Sequence, residues 1–277
     1  MLRPLSIDRW PDSLPHLCCV NCRAALSHAE ENLTCSQCSS TFEIDDELLI
    51  TAKDFIGNNQ VASEFYNSPK WQKYRFWKRF TPFNEKAVSK WRAEVFAKLP
   101  DLENTRLLDV AIGAGLTMPL VPESCDVFGL DISIEQLRDC QRDNADRNLK
   151  LILGEAESLP FPDNTFDNVI SFGAINYFND PLGSLQEMAR VVKPGGQVVL
   201  TDEHADLPSR MIGHRIGWPQ LDHFILSKLL HLGDDFASVI NEHCEFAIEP
   251  VVEQVFDEWT VEPCCNDVAW CIVATAS

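Results

Sequence analysis

Residues 106–120 read RLLDVAIGAGLTMPL, and this stretch decides the fold. Arg106–Val110 is short and apolar, as a strand buried on both faces must be. Gly113 and Gly115 follow at once, where the chain has to turn sharply toward a helix. Working outward, Asp126–Leu130 (DVFGL) predicts a second strand ending at Asp131. Ser133 then stands where it can cap a helix carrying Ile134, Leu137 and Cys140. Leu149–Leu153 and Phe166–Phe172 predict two more strands. Asp180-Pro181 has the form of an N-cap with proline in the first helical position. The stripe Leu182, Leu185, Met188 and Val192 runs on from it and stops at Lys193-Pro194-Gly195-Gly196. Gln197–Asp202 is a fifth strand. Farther on, Ala237–Ile248 predicts a helix and a turn, and Val251–Phe256 and Ala269–Thr275 the last two strands. Strands alternating with helices at this period predict the α/β class: a doubly wound, seven-stranded, mostly parallel sheet.

Such sheets bind ligands beyond the carboxyl ends of their central strands. The glycine loop can present backbone N–H groups to a carboxylate or phosphate at a helix start. Asp131 ends the second strand, where an acid can accept bonds from ribose hydroxyls. The dinucleotide fingerprint is incomplete, because Met118 stands where its third glycine belongs. That argues for a nucleoside cofactor lacking a pyrophosphate.

Ahead of this domain, Cys19-Val-Asn-Cys22 and Cys35-Ser-Gln-Cys38 flank twelve residues. Two C-x2-C knuckles supply the four soft thiolates that tetrahedral zinc requires. About thirty residues bury little core, and a metal can substitute for one. Cys18 is a spare, since only Cys19 gives the spacing; His16 and His28 are alternative ligands that no spacing favours. The chain has eleven cysteines, an odd count, and its N-terminus is interrupted by Pro4, Pro11 and Pro15 where a signal peptide needs an apolar core. Reduced thiols in the cytoplasm are the expectation. No apolar run approaches the ~18 residues that span a bilayer, so no membrane is expected as a partner.

The chain of 277 residues carries a net charge of −19, unevenly spread. Residues 53–98 hold ten basic and four acidic groups, while 99–277 hold ten and thirty. The basic segment is also aromatic. From Asn84 to Leu99, Val88, Trp91, Val95 and Leu99 recur at helical spacing. Two uses remain open: stacking bases and pairing phosphates of RNA, or covering the main domain with an amphipathic helix. The expected organisation is an arm and ribbon (1–52), a basic, aromatic linker and cover (53–103) and the α/β domain (104–277), with 204–233 as a candidate lid.

LLDVAIGAG, VFGLDIS, LILGEAESLPFPDNTFDNVIS and EMARVVKPGGQVVLTDE are similar in order and spacing to the class I S-adenosylmethionine-dependent methyltransferases. Within that Rossmann-like family they resemble the ubiquinone/menaquinone-biosynthesis branch. The resemblance covers roughly residues 104–203. It implies that Asp109, Gly113 and Gly115 shape the loop for the methionine carboxylate. It further implies that Asp131 holds the ribose, Ile132 lies against the adenine, Glu155 and Ala156 read its edge, and Ser171, Phe172 and Gly173 floor the pocket. It also implies that the last two strands form an antiparallel hairpin at the sheet edge. Three positions depart from the family pattern: Ala111 replaces the first loop glycine, Glu155 replaces an aspartate, and Gly173–Phe178 lacks a histidine that many relatives carry. Residues 17–51 resemble the short zinc ribbon that precedes many bacterial methyltransferase domains and occurs in tRNA-methyltransferase activators. That implies a structural zinc with a docking or substrate-presenting role.

Methyl transfer from a sulfonium mainly requires alignment of donor and acceptor in a dry pocket. A general base helps when the acceptor is a hydroxyl or a carbon acid. Candidates are Tyr177, and then Asp202, Glu203 and His204 after the fifth strand, with His214 and His223 beyond; His204 is closest to a strand end. Arg210, Trp218 and Phe224 could shape the lid. A small organic acceptor is the first expectation. An rRNA or tRNA base reached along residues 53–98 is the second, disfavoured by the acidic large domain and by a strand-four tail without the Asn/Asp-Pro-Pro-Tyr element. A degenerate scaffold that binds a partner through its ribbon is the third, motivated by Ala111.

Overall fold

The computed structural model describes residues 10–29, 32–78, 85–204, 216–218, 220–221, 224 and 247–277. The ribbon contributes four short strands: β1 (Leu26–Ala29), β2 (Asn32–Cys35), β3 (Thr41–Asp45) and β4 (Leu48–Ile50). Three helices follow: α1 (Gly57–Tyr66), α2 (Pro69–Lys78) and α3 (Glu85–Phe96). The large domain then runs β5 (Arg106–Val110), β6 (Asp126–Asp131), α4 (Ile134–Asp143), β7 (Leu149–Leu153), β8 (Phe166–Phe172), α5 (Pro181–Val191) and β9 (Val192–Glu203). A short α6 (Glu249–Val252) precedes β10 (Glu258–Cys264) and β11 (Ala269–Thr275).

The strands are ordered β1-β2-β3-β4-β7-β6-β5-β8-β9-β11-β10. The seven strands of the large domain are thus extended by the ribbon's four, because β4 pairs parallel with β7 through Leu49↔Ile152 and Ile50↔Leu153. The pairs β7/β6, β6/β5, β5/β8 and β8/β9 are also parallel. β11 lies antiparallel between β9 and β10. Chain order reverses between β5 and β8, which opens the ligand crevice beyond their carboxyl ends.

Each face of the sheet carries its own core. Leu108, Val110, Phe128, Val169 and Val198 pack with α5 and the ribbon's Leu33 and Phe42. Phe128, Phe161 and Phe166 meet edge to face there, with centroids 4.7–5.6 Å apart. On the other face Leu107, Val127, Ile170 and Val199 pack with α3 and α4. The α3 stripe read from the sequence is the buried one: Val88, Trp91, Val95 and Leu99 are all inside. Both caps form as well. Ser133 accepts from the Gln136 N–H at 3.2 Å, and Asp180 from Gly183 at 3.0 Å.

Two expectations are overturned: Val192, expected in the helical stripe, begins β9 ahead of the expected start at Gln197, and the strand expected at Val251–Phe256 does not form. Val251–Phe256 is the end of α6 and the turns after it. Its apolar residues Val251, Val252, Val255 and Phe256 fit helical spacing as well as they fit a buried strand, and Pro250 sits where helices begin. The true partner of β11 starts at Glu258. It is an edge strand whose residues are mostly exposed, and it tolerates Pro263 because one side has no neighbouring strand among the described residues. The sequence 237–246 lies outside the described residues. Among the described residues, no helix is long and apolar enough to cross a membrane.

Candidate functional site

The glycine loop leaves β5 through three left-handed residues, Ala111 (φ 64°), Gly113 (φ 56°) and Gly115 (φ 68°). The N–H groups of Ala111 and Ile112 both donate to Leu130 O, at 2.7 and 3.1 Å, which ties the loop to β6. A Cβ on Gly115 would lie 2.5 Å from Cys140 Sγ and 2.8 Å from Asn144 Nδ2, so only glycine fits there. Ala111 holds the same left-handed geometry with a Cβ, at a cost of about 1–2 kcal/mol. The Ala111→Gly variant should therefore be more stable by about 0.5–1 kcal/mol, the difference between relieved strain and the greater freedom of an unfolded glycine. Urea-unfolding midpoints would show this; an unchanged or lower midpoint would mean that the site carries no strain.

Two buried aspartates organise the loop. Asp131 Oδ2 accepts from the Gly113 N–H and its Oδ1 from the Ser133 N–H, both at 2.8 Å. Asp109 Oδ2 accepts from the Thr117 hydroxyl at 2.8 Å, so it braces the far end of the loop. Desolvation pushes the Asp109 carboxyl up to about 7 and that of Asp131 to about 6, although the Thr117 hydroxyl and the Asp131 backbone partners pull the other way. Because the folded values lie above the unfolded ones, the native state binds more protons through this range. Stability from these groups is therefore present at acid pH and is lost as pH rises through the window from about 4 to about 7. Asp109→Asn, which keeps an oxygen for Thr117, should flatten that decline by up to a few kcal/mol. Thermal melts at pH 5 and pH 8 test it; a wild-type melting temperature that rises between them would contradict the assignment.

The segment after β7 carries the residues expected on the adenine side. Glu155 is half-buried and Ala156 buried. One amide, Asn59 Nδ2 of α1, lies 3.1 Å from both Glu155 Oε1 and Glu157 Oε2. Ser63 of the same helix donates to Ile132 O at 2.9 Å, and Asn67 Oδ1 accepts from Ser133 Oγ at 2.8 Å. Helix α1 therefore runs over the crevice along the residues expected to hold the nucleoside. Ser171 is buried at the end of β8, and its hydroxyl has no partner among the described residues. Phe172 lies 4.4 Å from the Trp91 ring, with the Arg92 guanidinium 5.5 Å from its centroid.

Asn59, Ser63 and Arg92 were not singled out from the sequence. Asn59 meets Glu155 across 96 positions, and no local spacing signals a pair that distant. Of the residues expected on the acceptor side, Tyr177 lies in the turn after β8 and His204 directly follows β9. The Asn176 amide reaches Glu203 O at 3.5 Å, and the His204 N–H donates to Val268 O at 3.2 Å. Asp202 is fully buried; its Oδ2 accepts from the Asn176 N–H at 3.1 Å and its Oδ1 from the Glu203 N–H at 2.9 Å. Arg210, His214 and His223 lie outside the described residues. Trp218 and Phe224 are exposed. A surface cavity of about 500 Å³, lined by Asp126, Arg147 and Lys150, lies at the amino ends of β6 and β7, away from the crevice.

The four knuckle cysteines converge as the spacing predicts, with all four sulfurs within 4.8 Å of one another. Cys19 and Cys38 Sγ are 3.5 Å apart, and Cys22 and Cys35 Sγ 3.4 Å. Tetrahedral zinc with Zn–S of about 2.3 Å needs sulfurs roughly 3.7 Å apart, so the donor set fits that ion. The two knuckles also share one backbone plan. The N–H of Arg23 donates to Cys19 O and that of Ser39 to Cys35 O, and both residues are left-handed, with φ 63° and 60°. Ser40, through its hydroxyl and then its N–H, holds the Cys38 thiol down to about 6. His16 lies elsewhere, its Nδ1 3.3 Å from Arg106 Nη1. Among the described residues, Cys264 and Cys271 are buried, Cys265 is half-buried, and none of the three is in a disulfide.

Comparison with known proteins relates the segment that carries the site to a family. The methyltransferase domain family matches residues 108–200. A demethylmenaquinone methyltransferase of Renibacterium salmoninarum is 41% identical over 115 residues, which cover 41% of this chain and 47% of that protein. Its counterpart in a Geobacillus species is 38% identical over 163 residues, covering 56% and 66%. The chain thus spans about half to two thirds of these curated relatives. A SAM-dependent methyltransferase from Aquifex aeolicus shares the fold, with a TM-score of 0.53 at 16% identity over 80% of this chain and all of that one. So does the [4+2]-cyclase SpnF, with a TM-score of 0.50 at 19% identity, over 80% and 97%. The sheet alone therefore does not fix the reaction. It is the run of motifs from Leu108 to Leu200, laid on this strand order, that matches the methyltransferase domain family and is similar to the demethylmenaquinone methyltransferases.

Proposed function

We propose that the protein transfers a methyl group from S-adenosylmethionine to a small organic acceptor, and that its ribbon holds one structural zinc ion. The observation that carries the first reading is Asp131, a buried carboxylate bound to the glycine loop on one oxygen and to the α4 cap on the other. Each carboxylate oxygen offers about two acceptor positions, so two stay available for a pair of vicinal hydroxyls. Gly113 and Gly115, left-handed and bonded within the protein through their N–H groups, shape the loop around the methionine carboxylate, and Arg92, beside Phe172, adds positive charge on the α3 side. Glu155 and Ala156 read the adenine edge, Ile132 packs on its ring, and Ser171 and Phe172 floor the pocket. When bound, the cofactor supplies an electrophilic methyl on a positively charged sulfur. The chain's own part is alignment and exclusion of water by α1 and α3. Tyr177 and His204, at the ends of adjacent strands, are assigned to the acceptor side, where one takes the proton of a hydroxyl or carbon acid.

The names of the curated relatives make a demethylated quinone ring the first acceptor to try. An RNA acceptor is less well supported. Phe65 and Trp91 of the basic segment are buried and Phe76 is exposed, which is less than the run of exposed rings a base-stacking platform needs. The unpaired cysteines suit the reducing cytoplasm, which we propose as the location. Calorimetric titration with S-adenosylmethionine tests the reading directly, and mass spectrometry of quinone-like acceptors extends it. Absence of cofactor binding would sink it and leave the scaffold alternative; methylated ribosomal RNA without methylated quinone would promote the nucleic-acid one.

A further inference from the structure

The ribbon touches the large domain at one functionally loaded place. The segment after β7, from Leu153 to Pro160, contains Glu155 and Ala156, and residues 18–51 grip it at both ends. At its start, the N–H and hydroxyl of Thr51 donate to Leu153 O at 2.9 and 3.0 Å. At its end, the Cys18 N–H donates to Pro160 O at 2.9 Å. Arg23 Nη1 donates to Leu159 O at 2.8 Å. The second nitrogen of that guanidinium pairs with Glu187 Oε1 at 2.7 Å, while Glu187 Oε2 accepts from the Leu159 N–H at 2.9 Å. Arg23 thus holds the Leu159 peptide by its carbonyl directly and by its N–H through Glu187. It shares both with Arg190, whose Nη2 lies 3.3 Å from Leu159 O and 2.8 Å from Glu187 Oε2; among the described residues, Arg23 alone brings the ribbon to this peptide's side-chain partners.

Arg23 also occupies a particular position in the knuckle. It is the left-handed residue directly after Cys22, equivalent to Ser39 after Cys38, and its N–H closes the turn onto Cys19 O at 2.8 Å. A non-glycine residue persists in that conformation only when its surroundings hold it there. Here the closing of the knuckle holds it, and a metal between the four sulfurs would lock that closure.

We propose that the ribbon is a positioning clamp for the adenosine-binding segment, with Arg23 as the residue that transmits the state of the knuckle to Glu155 and Ala156. The inference rests on the methyltransferase reading and on a metal in the ribbon. It assigns the ribbon to cofactor affinity and leaves recognition of the acceptor to other elements. Arg23 is a positioning residue, since it acts on the cofactor only through the Leu159 peptide.

The test measures binding of S-adenosylhomocysteine by calorimetry to four preparations of the full-length protein: wild type, wild type stripped of metal by a chelator, Arg23→Gln and Arg23→Lys. Metal content is recorded for each. Arg23→Gln should weaken binding about 5- to 50-fold, the usual range of coupling between sites, while retaining its metal. Arg23→Lys keeps one of the two bonds and should recover part of the loss. Metal removal should weaken binding at least as much as Arg23→Gln. In turnover assays the penalty should fall on KM for the cofactor and leave kcat at saturation unchanged, which general destabilisation would not do. Hydrogen exchange should show faster labelling of residues 154–160 in Arg23→Gln. Wild-type binding with equal affinity in Arg23→Gln and in stripped protein would overturn the clamp alone. No binding by wild type would remove the methyltransferase reading together with the clamp, and absence of metal from fresh protein would remove the zinc reading and its part in the clamp.

Discussion

Replacing Asp131 by alanine should weaken S-adenosylmethionine binding by more than a hundredfold. Two hydrogen bonds from ribose hydroxyls to a carboxylate, each contributing roughly 1.5–3 kcal/mol, account for that loss. The substitution also strands the N–H groups of Gly113 and Ser133, both of which donate to this side chain at 2.8 Å. Stability should therefore fall by about 2–3 kcal/mol as well, since unpaired buried donors are costly. Asp131→Asn separates the two effects. It keeps the volume and one acceptor oxygen but turns an NH2 group toward a backbone donor, so it should fold and still bind at least tenfold more weakly. Titration calorimetry on both variants, at a pH above the carboxyl's value of about 6, gives the comparison. The wild type carries an internal check. Burial raises this carboxyl, so lowering the pH from 7 to 5 protonates it, removes acceptor capacity and should weaken binding progressively. Asp131→Asn should lose that pH dependence. Affinity within threefold of wild type in both variants would leave Asp131 as a strand-end turn residue and nothing more.

The parts of this site that were legible in the sequence are those whose signal is local. A strand, a glycine turn and an acid at the next strand's end are set by neighbours a few positions away, and all three lie where the motif spacing puts them. The knuckles were legible for the same reason, since C-x2-C is a property of one turn. What the sequence hid is long-range. Asn59 bonds Glu155 and Glu157, Ser63 bonds Ile132, and Arg23 reaches Glu187 across 164 positions. None of these contacts alters a local propensity or a hydrophobic period. The misplaced strand at Val251–Phe256 has the opposite origin: β-branched residues gave a strong local signal that suits a strand, and packing of a short proline-started helix against α5 overrode it.

The charge distribution also changes meaning once the fold is known. Residues 53–98 carry the only positive balance of the three segments, yet α1 and α3 of that segment pack onto the large domain. Arg92, half-buried on α3, sits over Phe172 at the carboxyl end of β8. Positive charge from Arg92 near two buried aspartates suits a ligand with a carboxylate at one end and a diol at the other. Reversing surface charges on α2 should accordingly leave cofactor affinity within twofold, which an electrostatic track for RNA would not predict of RNA binding.

The second large effect concerns the metal. Cys35→Ser should abolish zinc binding, taking the stoichiometry from about one ion per chain to nearly none. Serine matches cysteine closely in shape, so packing around this buried position is little disturbed. What it lacks is an accessible anionic form, because zinc takes thiolate and a serine hydroxyl does not ionise near neutral pH. Structural zinc contributes about 10–16 kcal/mol to the folding of isolated finger peptides at neutral pH. The full contribution cannot appear here as lost global stability. Only the knuckles and the β1–β2 hairpin depend on the metal, while β4 remains paired with β7 and Leu33 and Phe42 remain part of the core. The expected result is local: rapid hydrogen exchange in residues 18–40, susceptibility to protease between Cys19 and Ser40, and a melting temperature of the large domain lowered by about 3–6 °C. Cys125→Ser, at a buried thiol far from the knuckles in sequence and outside the sulfur cluster, is the control and should keep its zinc. The distinction matters for mechanism. Four protein ligands close the coordination sphere and leave no position for substrate, so a metal here shapes the chain and does not act on the acceptor. Cys35→Ser protein that retains one tightly bound zinc would show that the ion sits on other residues.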